Sequence, residues 1–176
     1  MKDTYMKIIP GTPISIENIN EILGGKPTTS LTAYVQFLRK YGGGKVFPNS
    51  IKLVEPILLE GPLRAFSVQY FFPLAKIEKE SAADVIKRDF DVPFIAIAVI
   101  SGGDTLVLSL DPSDMGAIWF WSSFGDGVHG TKRRVANSFA ELLETFTFIE
   151  EQGKTPPWNR MNSVDDAPAV DFLLDL

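Results

Sequence analysis

The sequence predicts an α+β domain organised around antiparallel strands. Three observations carry this. Apolar runs at Phe94–Ile100, 105–110 and 117–121 are separated by Gly102-Gly103-Asp104 and by the turn-rich stretch 111–116, and short apolar runs bounded by such residues read as strands joined by hairpins. Ser138 and Glu141 then open the apolar run 139–146, with the spacing of a capping box at a helix start. Two further stretches with helical periodicity precede the strands.

In chain order, a leader with Pro10 and Pro13 runs to Ser15, which is placed to cap a helix carrying Ile16, Ile19, Ile22 and Leu23. Gly24-Gly25 stops it. Pro27 to Ser30 start a second helix, with Leu31, Tyr34, Val35 and Leu38 on one stripe. Gly42-Gly43-Gly44 ends that helix. Three glycines also suggest a phosphate loop, but such a loop needs a strand before it and a helix after it. Here a helix precedes, and Lys45 to Pro48 lead toward a strand, so the glycines read as a tight reversal from helix into sheet.

Residues 51–55, 57–59 and 65–72 are β-like, punctuated by Pro56, Gly61-Pro62 and Pro73. Proline is tolerated at strand ends and edges, which predicts short or edge strands there. A short helix is expected over 81–88, then the meander and the capped helix. Residues 125–130 form a glycine-rich loop, expected to be mobile, and Lys132-Arg133-Arg134 reads as a solvated loop or a local partner for the acidic tail. Past Gly153 regular structure breaks, and 158–176 forms a tail whose end, 170–176, is apolar enough to dock.

Composition narrows the class. A length of 176 residues suits one domain over 1–176 with a real core. Apolar residues at 45% and charged residues at 22% are ordinary for a globular chain. Zero cysteines remove disulfides, thiolate nucleophiles and zinc ribbons. The first ten residues lack an apolar run of signal-peptide length, and no 18-residue apolar stretch occurs anywhere. A soluble, cytoplasmic protein is expected, with no membrane partner. Residues 1–140 hold 15 Lys/Arg and 14 Asp/Glu, whereas 141–176 hold 2 and 8. The acidity belongs to the last helix and tail, which disfavours nucleic acid and favours a basic protein partner by steering.

The candidate chemistry is sparse. His129, the one histidine, lies in the glycine-rich loop, a poor mount for a general base. Asp104, Asp111, Asp114 and Asp126 fall in or beside turns; together they could hold a hard cation for hydrolysis. Aspartate also favours turns because its side chain caps nearby amides, and the spacing matches no calcium loop. Trp119 and Trp121 share a strand face by period-two spacing, with Phe120 opposite. The strand is apolar on both faces, so burial is the expectation rather than base or sugar stacking.

The order of elements resembles the SUKH superfamily, in its branch of fungal cell-wall-synthesis regulators and bacterial immunity proteins. The residues that carry the likeness are Tyr41-Gly42-Gly43-Gly44 closing a helix, the strand region 102–111 ending in aspartate, the aromatic strand 116–121, and 135–143 with its Ser-Phe-Ala-Glu-Leu-Leu helix. The likeness spans 28–148, leaving 149–176 as an acidic C-terminal extension. Tyr41 stands where the family pattern has asparagine. The resemblance implies a mixed, mainly antiparallel sheet with helices packed against it. It also implies a non-enzymatic module, monomer or weak homodimer, that binds and neutralises a bacterial toxin, a nuclease among the candidates. It transfers no catalytic residue, cofactor or metal. Acids in the loop and tail are the expected partner-binding residues: Asp126, Glu150, Glu151, Asp165 and Asp166. The rival readings are a metal-dependent hydrolase built on the turn aspartates and an adaptor that docks through its acidic tail.

Overall fold

The computed structural model describes residues 6–25, 29–59, 61–125, 130–147 and 170–172. In order the elements are β1 (Lys7–Pro10), α1 (Ile16–Ile22), a 3-10 turn Thr29–Leu31 running into α2 (Thr32–Tyr41), β2 (Gly44–Phe47), β3 (Ser50–Leu58) and β4 (Pro62–Phe71). Then come α3 (Leu74–Ser81), α4 (Asp84–Asp89), β5 (Phe94–Ile100), β6 (Thr105–Ser109), β7 (Ile118–Gly125) and β8 (Gly130–Ala136). The last are α5 (Phe139–Glu144), β9 (Phe146–Thr147) and β10 (Val170–Asp171). Eight strands lie in the order β10-β1-β2-β4-β5-β6-β7-β8, with β3 joined to β4 and β9. Each of these pairings is antiparallel. This is the expected α+β architecture.

Local chemistry explains most boundaries. Ser15 Oγ accepts a bond from the Asn18 amide at 3.3 Å and starts α1. Ser138 Oγ accepts from the Glu141 amide at 3.1 Å, and the Glu141 side chain accepts from the Asn137 amide at 2.8 Å, a variant of the capping box that reaches one residue beyond the cap. α2 ends at Gly42, whose φ of +63° is left-handed. A Cβ there would lie 1.6 Å from the Thr12 carbonyl oxygen. The glycines therefore let the leader pack against the helix end, and β2 begins inside the triplet.

Four expectations need correction. Residues 50–71 are not short edge strands: β3 and β4 have 9 and 10 residues, and β4 also pairs with β2 and β5. Pro56 is absorbed where the β3–β4 register shifts between Lys52 and Ile57, because a bulge removes the need for its missing amide. Second, α3 was not foreseen. Pro73 precedes its first turn, Ile77 is its buried residue, and Lys76 pairs with Glu80 one turn on at 2.7 Å. Third, Lys132-Arg133-Arg134 is no loop but the middle of β8, paired with Trp121, Phe120 and Trp119. Lys132 and Arg134 are exposed and Arg133 is half-buried, so the strand carries its charge at the surface. Fourth, Val35 is only half-buried; Phe37 and Tyr41 complete the buried stripe of α2 instead.

The helices fall on two sides. Phe71 of β4 sits 5.1 Å from Phe37 of α2 and 5.3 Å from Phe139 of α5, ring centre to ring centre. This aromatic core seals one face of the sheet. On the other, α3 lies along β5, where the Ala96 amide donates to Ser81 Oγ at 2.8 Å, next to the register shift between Ala96 and Ala98. The end of α4 meets the tryptophan face of β7. Val170–Phe172 docks as expected: β10 pairs with β1, and Phe172 stacks on Tyr41 at 5.2 Å. No helix among the described residues is long and apolar enough to cross a membrane.

Candidate functional site

The tryptophan face of β7 carries two acid–indole pairs with different surroundings. Trp121 is 6% exposed, and a buried indole N–H requires an acceptor. Asp89, the last residue of α4, supplies it at 2.7 Å. The same carboxylate oxygen accepts the Gly130 amide at 2.8 Å, and the other accepts Arg88 Nε at 3.2 Å. Three donors thus replace water around the buried Asp89 side chain. Lys132 closes the node by donating from Nζ to the Asp89 carbonyl at 2.7 Å. Gly130 must be glycine here: a Cβ would lie 2.2 Å from the Ser122 carbonyl oxygen and 2.7 Å from Asp89 Oδ2.

Two residues earlier, Trp119 donates to Asp114 Oδ2 at 3.0 Å, and Ser109 donates a short hydrogen bond to Asp114 Oδ1. Asp111 shapes the same turn by accepting the Ser113 amide at 2.8 Å, the usual service of a turn aspartate. Unlike Trp121, Trp119 faces a cleft of about 200 Å³. Phe90, Phe94, Val107 and Trp119 form its walls. Phe90 lies 5.1 Å from Phe94 and meets Trp119 edge-on at 6.5 Å. The polar lip carries Asp91, Asp111, Asp114 and Lys132. Lys132 Nζ also stands 5.1 Å over the Phe90 ring, so one cation already rests on an aromatic wall.

A second concavity, about 340 Å³, opens at the other end of the meander between Leu59, Leu63, Asp104 and Phe124. Phe124 in its wall is 50% exposed. Burial among these apolar neighbours raises the Asp104 carboxyl above its ordinary range, and a hydrogen bond from Ser122 partly offsets that.

The predicted residues therefore separate. Asp111 and Asp114 share the β6–β7 turn, while Asp104 lies in the β5–β6 turn at the opposite end of β6. Among the described residues no three His, Cys, Asp or Glu side chains are grouped to hold a metal ion. Asp126, His129, Glu150, Glu151, Asp165 and Asp166 lie outside the described residues. Asp89 and Phe90 were not singled out from the sequence. The signal existed: two tryptophans on a buried strand face demand two acceptors, and nearby acids are the natural supply.

No curated protein and no solved structure gives a significant match to the chain. The model of the SMI1 / KNR4 family (SUKH-1) matches residues 32–145, more than half of the chain. That span runs from the start of α2 through α5 and so takes in both acid–indole pairs and the cleft. With its glycine-closed helix, its meander and its capped last helix inside that match, the chain belongs to the SMI1 / KNR4 family (SUKH-1).

Proposed function

We propose that this protein is an immunity-type inhibitor: it binds one bacterial toxin in the cytoplasm and neutralises it by occupying its working surface. The family supports the general part of this reading, since SUKH domains are protein-interaction modules and its members are in general non-catalytic immunity or regulatory domains. The observation that carries it is the cleft beside Trp119, an aromatic-walled recess with an acidic lip on the family core. Recesses of this kind anchor side chains of a partner at interface hot spots. The acidic balance of 141–176 adds long-range attraction toward a basic, nucleic-acid-binding toxin. Asp126, Glu150, Glu151, Asp165 and Asp166 remain the proposed partner-binding acids. Val170–Phe172 is held in cis on β1 and Tyr41, which favours the inhibitor over an adaptor whose whole tail docks in trans.

The test is co-expression with a candidate toxin domain, taken from genes neighbouring this one. Growth is rescued, and the purified pair associates with a Kd at or below about 1 nM. Charge reversal of the five acids slows association most at low salt. Absence of both rescue and complex would refute the proposal.

A further inference from the structure

We propose that the cleft beside Trp119 receives an arginine side chain of the protein partner. The proposal rests on the protein-binding reading above and names the chemistry of its anchor. Size comes first. At about 200 Å³ the cleft is smaller than the roughly 300–1,000 Å³ of sites for drug-sized ligands, which suits one long side chain and not a whole cofactor.

The walls come next. Phe90, Phe94 and Trp119 present flat aromatic surfaces, and a planar guanidinium stacks on such surfaces while its edge stays free to donate. A purely apolar visitor would find the walls but not the lip.

Charge decides between cation and anion. Among the residues lining the cleft, Asp91, Asp111 and Asp114 stand against Lys132, which disfavours a phosphate or carboxylate there. Lys132 demonstrates the preference from within: its Nζ rests on Phe90 and is satisfied by the Asp89 carbonyl. Its charge is thus tied to the Asp89 side of the recess. Asp114 is held in place by Ser109 and Trp119, a fixed acceptor with no reorganisation to undergo. The fork of a guanidinium matches carboxylates in pairs, whereas an ammonium does not.

The two tryptophans supply the assay. Titrate N-acetyl-arginine amide into the full-length, nitrogen-15-labelled chain and follow the indole N–H signals of Trp119 and Trp121, with the signal of the third tryptophan, Trp158, assigned through Trp158→Phe. The Trp119 signal moves progressively, and the Trp121 signal, bonded to Asp89, stays still. N-acetyl-lysine amide binds more weakly, and the capped leucine and glutamate amides bind more weakly still. Asp91→Asn raises the Kd for the arginine probe roughly threefold, and added salt weakens it. The inference is overturned if Trp119 does not respond, or if the leucine or glutamate probe binds more tightly than the arginine probe. If toxin rescue succeeds while the cleft ignores arginine, this inference falls and the inhibitor reading stands. If the probe binds but no toxin is neutralised, the arginine chemistry stands and the inhibitor reading falls.

Discussion

The two faces of the sheet solve burial in opposite ways. On the α2/α5 face, Phe37, Phe71, Phe139 and Phe146 interlock with almost no polar atoms between them. On the α4 face the same sheet buries a carboxylate, ties two indoles to acids and leaves a recess beside one of them. Aromatic packing alone gives a stable platform. Buried polar groups fix unique geometry at a cost in desolvation that the all-aromatic face does not bear.

Five substitutions sharpen or break this contrast, beginning with the largest effect. Phe37→Ala empties the centre of the aromatic face and costs about 4 kcal/mol in chemical denaturation. Asp89→Ala leaves the Trp121 indole and the Gly130 amide without their acceptor and costs about 3 kcal/mol. A near-neutral Asp89→Ala would dissolve the contrast, since the α4 face would then need no polar anchor. Asp114→Ala releases Ser109 and Trp119 at a half-open site and costs about 1 kcal/mol, with a shift of the Trp119 indole N–H signal.

The fourth variant tests a polar intruder on the aromatic face. The Tyr34 hydroxyl is buried and has no hydrogen-bond partner among the described residues, and burial pushes its phenol pKa upward. Tyr34→Phe therefore stabilises the fold by about 1 kcal/mol in the same denaturation assay. The smallest effect is at Asp104. Its folded pKa lies above the ordinary 3.8 because of burial, so the unfolded chain ionises more readily than the folded one. The resulting penalty is full at neutral pH and disappears as pH falls below 3.8. Asp104→Asn gives a small gain in stability at pH 7 that fades in acid, read from denaturation midpoints across pH.

The fold was legible wherever periodicity and punctuation agreed. Ser15, Ser138 and the two glycine stops marked helix ends through bonds made within one turn, which a sequence displays directly. The meander showed because its strands are apolar and its turns are not. β8 was hidden because Lys132, Arg133 and Arg134 look like solvent-facing loop residues, and only their backbone pairing with β7 makes them a strand. α3 was hidden because only Leu74 and Ile77 face inward over eight residues, too few to make a visible stripe. The site was harder still. Asp89 and Trp121 are 32 residues apart, and no local pattern announces that a helix-ending acid will meet an indole on a strand.

The docking of Val170–Asp171 on Lys7 and Ile8 bears on how the protein behaves when shortened. Strand β1 is the outermost full strand on its side, and these two residues, with the Lys7–Asp171 ion pair at 3.2 Å, are what blunt its margin. A chain cut before Val170 bares the amides and carbonyls of that margin together with the Tyr41 ring. Such a rim is a template for strand-to-strand polymerisation between molecules. Loss of the final segment would then surface first as concentration-dependent aggregation, while the interior remains folded.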